Sequence, residues 1–333
     1  MQNSKTILIT GASGFIGSFL TDEALNRGYN VYAAVRKSTN TTILRKKNVH
    51  IIEFDFHDKE LTSQQLSTLP AFQYVVHNAG VTKARRAADY FEVNYGNTLR
   101  LIEGLKATTG LPLKFIYISS IAAQGSCHGN SNQRGNDISI PKPLTEYGRS
   151  KLAAEQLITS MPELTFIIIR PTAVYGPGDH DFLKAVKFLC RGIDFKVGIK
   201  PQTLSFIYVK DLARVVFDAL ESKLINKLWF VSDGKRYNHR DFGKAVSKSL
   251  KRKIIHIPVP LKLAIFLGGA NEIIAGLAKY PPLINREKIA ELAAANWVYD
   301  SNPISMDLGF KPEFDLFEGM NETIEWYKKE GWI

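Results

Sequence analysis

Residues 5–17, KTILITGASGFIG, decide how the rest of the chain is read. The first part, Thr6–Thr10, is apolar and β-branched and reads as a short buried strand. Glycines follow at Gly11, Gly14 and Gly17, and an amphipathic pattern over 15–25 begins at once. Strand, glycine turn and helix start together form a cradle for a pyrophosphate. A β-carbon at those glycines would hold the anion off the backbone, whereas the unpaired N–H groups and the positive end of the helix dipole face it. A glycine trio alone marks any tight turn. Behind a first strand and ahead of a helix, it reads as a dinucleotide site.

Working outward, Asn30–Val35 reads as a second strand, and its end bears on the cofactor. An NAD-preferring site carries an acid roughly 20 residues beyond the glycine turn, to bind the ribose hydroxyls. Arg36 and Lys37 stand there instead. A carboxylate would repel a 2′-phosphate and a guanidinium can grip it bidentately, so the pair points to NADP; a basic surface turn is the competing reading. Further strands are expected over 49–54, 72–77, 114–119 and 166–170, with helices over 90–105 and 146–158. His77 is expected to be a buried strand residue rather than a ligand. Strands alternating with helices imply an α/β fold, a doubly wound parallel sheet with helices on both faces. Tyr147 and Lys151, four apart, share one face of the second helix, where an ammonium would stabilise a phenolate and let it cycle as acid and base. Ser120, closing a strand, can hydrogen-bond a substrate oxygen.

The spacing G-x-x-G-x-x-G, ending in Gly14-Phe15-Ile16-Gly17, resembles the short-chain dehydrogenase/reductase family, in its extended branch of epimerases, dehydratases and reductases. The resemblance runs over nearly the whole chain. It implies cofactor contacts from Gly11, Ser13, Gly14, Phe15, Ile16 and Gly17, and an adenine pocket at Asp55 and Phe56. Asn78-Ala79-Gly80 resembles the family's N-A-G segment under the cofactor ribose, and Asn94 its V-N-x-x-x-T segment, pinning a strand and reaching the active site. The Ser–Tyr–Lys triad falls on Ser120, Tyr147 and Lys151, the last two also touching the cofactor, with Ser119 beside them. Pro171 and Val174 belong to a segment similar to R-P-x-x-V-Y-G-P-G, which lies by the nicotinamide. Residues 209–213 and the closing L-G-F and W-Y elements also resemble extended members.

At 333 residues the chain can build one extended domain or two joined ones. Residues 1–178 are expected to form the dinucleotide-binding domain, with its sheet completed from within 204–233, and 179–333 a smaller, mainly substrate-binding domain. A hydrophobic content of 45% with 23% charged residues is ordinary for a soluble globular protein. The net charge of +11 comes with no recognised nucleic-acid motif, so no nucleic-acid partner is expected. Solvated faces are the first reading of that charge, and peripheral contact with a membrane is second. Cys127 and Cys190 form neither a metal-ligand nor a disulfide pattern, and the first five residues contain no apolar signal, which suggests a cytoplasmic protein without a metal. A homodimer and a small-molecule substrate are expected. The Gly-, Ser- and Pro-rich loop over 125–143 reads as an active-site cover. The apolar stretch 261–283 admits three readings, a core helix first, then a lid over an apolar substrate or an interfacial helix.

Three functions compete. In an NADP(H)-dependent alcohol/ketone oxidoreductase, Tyr147 moves the proton, Lys151 tunes Tyr147 and holds ribose, and Ser120 orients the oxygen. A nucleotide-sugar epimerase with tightly bound NAD uses the same hydride step twice. A non-catalytic cofactor sensor would generally lack the Tyr–Lys pair. Two departures from the family pattern favour the first reading. Ala173 stands where epimerases commonly carry an Asn for the substrate diphosphate, and Ile121-Ala122-Ala123-Gln124 contains none of the acid that dehydratases use. With the apolar stretch, they suggest a hydrophobic substrate, as in the similar hydroxysteroid dehydrogenases and dihydroflavonol reductases.

Overall fold

The computed structural model describes residues 5–127, 140–198, 201–277, 286–294 and 296–333. The chain begins β1 (Thr6–Thr10), α1 (Phe15–Asn26), β2 (Asn30–Val35), β3 (His50–Glu53), α2 (Lys59–Ser67), β4 (Tyr74–His77), α3 (Ala87–Phe91), α4 (Asn97–Ala107) and β5 (Lys114–Ile118). It continues α5 (Glu146–Thr159), β6 (Phe166–Pro171), β7 (Ala173–Tyr175), α6 (His180–Cys190), β8 (Ile193–Val197), β9 (Thr203–Leu204), β10 (Phe206–Tyr208), α7 (Val209–Glu221) and β11 (Lys227–Val231). It ends β12 (Tyr237–Asn238), α8 (His239–Leu250), β13 (Ile255–Val259), α9 (Leu261–Leu277), α10 (Arg286–Ala293), α11 (Asn302–Leu308) and α12 (Leu316–Lys329). Two compact units interleave along it. The first is Met1–Ser120 with Arg149–Arg170 and Ala213–Trp229, and the second is Ile121–Gly148 with Pro171–Leu212 and Phe230–Ile333.

The first unit is built on a seven-stranded sheet in the order β11-β6-β5-β4-β1-β2-β3. β1 pairs in parallel with β2 on one side and β4 on the other, so strand order reverses at β1, where open α/β sheets bind their ligands. Strands β1, β4 and β5 are apolar on both faces because helices cover both, and β5 is buried at every residue. Two polar joints fix α7 in this unit. Arg27, the C-cap of α1, bonds Glu23, Asp218 and Glu221 at 2.7–2.8 Å, and the buried Lys114 donates to the Ala219 and Ser222 carbonyls, a cation closing a helix C-terminus.

The segment 90–105, expected as one helix, is broken. α3 ends at Phe91, a wider π turn spans Glu92–Gly96, and α4 starts at Asn97. The Asn94 side chain explains the distortion. It is buried and bonded at both ends, its Oδ1 accepting the Val81 N–H at 2.9 Å and its Nδ2 donating to the Val81 carbonyl and to Ser150 Oγ at 3.1 and 2.9 Å. A helix widened by one residue aims that amide inward.

The second unit has an aromatic core of Tyr175, Phe206, Tyr208 and Tyr237 beneath α12. Asp211 accepts the N–H groups of Glu313 and Phe314 at 3.0 Å, and the Tyr327 hydroxyl donates to the Asp179 carbonyl at 2.7 Å, fastening the C-terminal segment. The apolar stretch does not form a core helix over its first two turns. Ala264 is buried there, but Leu261, Leu263, Ile265, Phe266 and Leu267 face outward, so the core-helix reading fails for these residues. Residues 278–283 of that stretch, and 128–139 of the expected cover loop, lie outside the described residues.

A buried polar chain ties β1 to β4 and to α4. Thr98 Oγ1 donates to the Asn94 carbonyl at 2.7 Å, so it must accept from His77 Nε2–H at 2.9 Å. His77 Nδ1 is then the acceptor for Thr10 Oγ1–H at 2.7 Å, and Thr10 Oγ1 in turn accepts the Ala79 N–H at 3.1 Å. Every hydrogen in the chain has one direction, and it requires a neutral imidazole. Burial, reinforced by the Lys151 charge, pushes the His77 pKa down from 6.5 to about 3. The His77→Ala variant should lose about 2–5 kcal/mol in urea unfolding, from a cavity and a Thr10 hydroxyl left without its acceptor. The unfolded chain binds a proton that the native chain excludes, so the His77 contribution is complete above pH 6.5 and is lost as pH falls from there towards 3. The difference in stability between wild type and His77→Gln should therefore change across that window and stay flat above it.

Candidate active site

The cradle is built as its glycines require. Gly11 has φ of +67°, and a Cβ there would lie 2.9 Å from the Ala79 backbone, so β1 and β4 approach more closely than any side chain allows. Gly17 packs its α-carbon against the Gly11 carbonyl, leaving no room for a Cβ. Gly14 is the N-cap of α1 in extended conformation with no side-chain cap, and the first turn of α1 holds no acid. The N–H groups of that turn are thus directed at whatever lies beyond the strand end, as an anion site needs. Ser13 and Gly14 are exposed, and Phe15 and Ile16 are half-buried in the same turn. These features fit a dinucleotide pyrophosphate.

At the end of β2, Arg36 and Lys37 are exposed, and Arg36 has no acidic partner among the described residues. Asp55 is exposed past β3, its carboxylate accepting the His57 N–H at 3.1 Å. Phe56 is placed differently. Its ring stacks on Phe54 in the core with centroids 5.1 Å apart, and its carbonyl takes the Arg100 guanidinium, so only its backbone edge remains for an adenine.

The loop after β4 brings Asn78, Ala79 and Gly80 to the cradle. Asn78 Nδ2 donates to the Gly11 carbonyl at 3.4 Å, and Gly80 packs beside Asn94 and Lys151, with space for a Cβ closed by Asn94 Oδ1 at 2.8 Å. Lys151 is buried. Its Nζ donates to the Ile118 carbonyl at 2.6 Å and sits 4.3 Å from the centre of the Tyr117 ring. Burial lowers its pKa from 10.5 to about 7, against an upward pull from Glu155. Gly11, Ala79, Gly80, Asn94 and Lys151 therefore converge at the carboxyl ends of β1, β4 and β5.

Ser119 and Ser120 diverge. The Ser119 hydroxyl donates to Glu155, which also holds Arg170 through Nε at 2.9 Å and Nη2 at 2.5 Å in a fully buried fork. Ser119 therefore supports the ion pair, and half-buried Ser120 occupies the next position at the strand end. Sequence reasoning missed Glu155. The available signal was a carboxylate one helical turn beyond Lys151, together with an arginine closing a strand too apolar to leave it unpaired.

In the second unit, Tyr147 is half-buried in the first turn of α5. Thr145 Oγ1 accepts the Gly148 N–H at 3.1 Å, and Glu287 of α10 accepts the Glu146 N–H at 3.0 Å, so two acceptors hold that helix start. A Cβ on Gly148 would meet the Ala122 carbonyl, which packs this turn on Ile121–Ala123, the segment directly after Ser120. Pro171 is buried, Val174 half-buried and Ala173 exposed, with β7 paired in parallel to β10. Among the described residues there is no cluster of His, Cys, Asp or Glu suited to a metal ion, and no helix long and apolar enough to cross a membrane.

The model of the NAD dependent epimerase/dehydratase family matches residues 7–230. The chain is 24% identical over 330 residues to a ceramide reductase of Caulobacter vibrioides, spanning 98% of this chain and 96% of that protein. It is 26% identical over 341 residues to a UDP-glucose 4-epimerase of Vibrio cholerae, spanning 96% and 95%. The crystal structure of a Thermus thermophilus UDP-glucose 4-epimerase in complex with NAD has the same fold, with a TM-score of 0.76 at 21% identity over 97% of this chain and 99% of that one. The matched region runs from the strand that opens the cradle to the strand at the far edge of the sheet, and the chain belongs to the NAD dependent epimerase/dehydratase family, among the extended short-chain dehydrogenase/reductases.

Proposed function

We propose that this protein is an NADP(H)-dependent oxidoreductase acting on a ketone or secondary alcohol of a hydrophobic substrate. The observation that carries the reading is Lys151, a buried amine with a pKa of about 7, at the strand ends that also form the cradle. A buried ammonium is costly, and an anionic cofactor and a phenolate are the partners that would repay it. The nicotinamide, when bound, supplies the site for hydride exchange. Gly11, Gly14 and Gly17 would hold the pyrophosphate, Arg36 and Lys37 the 2′-phosphate, Asp55 the adenine, and Asn78, Ala79, Gly80 and Lys151 the ribose. Pro171 and Val174 would border the nicotinamide. Tyr147, one turn before Lys151 on α5, would pass a proton to or from the substrate oxygen, and Ser120 would orient that oxygen. Asn94, fixed by Val81 and Ser150, would keep Gly80 and Lys151 in place. A lipid-like substrate is supported by the likeness to a ceramide reductase and by Ala173 in place of a diphosphate-binding Asn.

Epimerisation with retained NAD is the second reading, supported by the equally extensive likeness to UDP-glucose 4-epimerases. Cofactor analysis of the purified protein, followed by NADPH oxidation assays against lipid, steroid and sugar-nucleotide ketones, separates the two. Net, stoichiometric oxidation of NADPH is expected. Tightly held NAD, with sugar nucleotides interconverting and no change in absorbance, would establish the epimerase.

Replacing Tyr147 with Phe should leave cofactor binding intact and reduce turnover roughly 10²–10⁴-fold, the size of general acid–base assistance. Near-normal turnover in a chemistry-limited assay would remove Tyr147 from the mechanism. Arg36→Ala should weaken NADPH roughly 10–100-fold, as one charge-assisted bond of about 1.5–3 kcal/mol is lost, and leave NADH nearly unchanged. Equal weakening of both cofactors would reduce Arg36 to a surface turn residue.

A further inference from the structure

The parallel ribbon β8–β13 in the second unit has two unlike faces. On one, His256 Nδ1 and Asp194 Oδ2 are 2.8 Å apart and lie against Gly243 of α8. On the other, residues of opposite parity point away from α8, with Ile255 beside Ile193 and Ile257 beside Phe195 in register. That outward face is apolar and exposed, Ile255 to 70%, and Phe195 extends it to Phe188 with ring centroids 5.7 Å apart. A single residue, Pro260, separates β13 from α9, where the polarity is again inverted. Ala264 and Gly268, one turn apart, are buried, whereas Leu263, Phe266 and Leu267 share the opposite face and Phe266 is 72% exposed. Apolar residues rarely gather on a monomer surface in this way without a partner.

The charge around this surface identifies the partner. Residues 251–269 contain Lys251, Arg252, Lys253 and Lys262 and no carboxylate. Three of these cations precede β13, and Arg191 precedes β8, so the cations gather where the two parallel strands begin. Arg252 is fixed there by donating to the Cys190 carbonyl. Bulky apolar side chains flanked by cations suit the boundary between headgroups and acyl chains of an anionic bilayer. A second copy of the chain would bring like charges together at the same edge. We propose that the outward face of β8–β13 and the first two turns of α9 form a docking surface for anionic lipid membranes.

Co-sedimentation of the full chain with phosphatidylcholine vesicles, with and without phosphatidylserine, tests this. Binding is expected only with phosphatidylserine and should fall as salt rises. The double variant Ile257→Glu/Phe266→Glu should reduce partitioning by at least about tenfold with unchanged thermal unfolding, and Phe266→Ser alone should reduce it in the same direction. Lys251→Glu/Lys253→Glu should remove the dependence on phosphatidylserine. Absence of binding to either vesicle, or equal binding by wild type and all variants, overturns the proposal. So does a dimer in light scattering that the apolar substitutions split while vesicle binding is unaffected, since the face then belongs to a second copy.

Discussion

The close approach of β1 and β4 at their carboxyl ends is the constraint on which the site depends. Gly11 touches the Ala79 backbone because neither residue presents bulk there, and the chain Ala79–Thr10–His77–Thr98–Asn94 locks that approach with hydrogen bonds of fixed direction. A one-residue shift of β4 against β1 would turn His77 to the other face of the sheet and break the chain at both threonines. The same chain ends at the π turn, whose Asn94 closes the space beside Gly80. Fold and site share one set of contacts.

Two buried charge systems lie beside this joint and differ in character. Glu155 and Arg170 are fully compensated, with a bidentate fork and the Ser119 hydroxyl on the same carboxylate. Such a pair adds little net stability, but removing one partner strands the other charge at a cost of about 3–5 kcal/mol. Lys151 has no carboxylate in contact among its described partners. It has a carbonyl, an aromatic ring and the more distant pull of Glu155, and its pKa falls accordingly. The first system fixes the strand ends, and the second leaves a buried amine without a carboxylate in contact among its described partners.

Much of this was legible in the sequence. β1 and β2 fall where their β-branched runs indicated, and Gly11 and Gly17 stand where the backbone approaches too closely for a Cβ. His77 read correctly as a strand residue, although its role as the centre of a polar chain depends on Thr10 and Thr98, 67 and 21 residues away, and no local pattern reveals such partners. The π turn escaped notice because one added residue leaves helical periodicity almost unchanged. Phe56 carried the family's adenine position, but an aromatic beside Phe54 finds a larger apolar contact in the core. The first turns of α9 misled for the opposite reason: composition records how apolar a segment is and is silent on which way it faces.

The proposed role of Lys151 beside the cofactor is tested most directly by calorimetry, which can count its proton. NADPH binding should be measured near pH 8 in buffers of different ionisation enthalpy, for wild type and Lys151→Met. With a free-protein pKa of about 7, Lys151 is mostly neutral at that pH, and an adjacent dinucleotide anion must raise its pKa. Wild type should therefore take up a fraction of a proton on binding that Lys151→Met does not. Identical proton counts for the two proteins, or binding without any dependence on the buffer, would contradict the account.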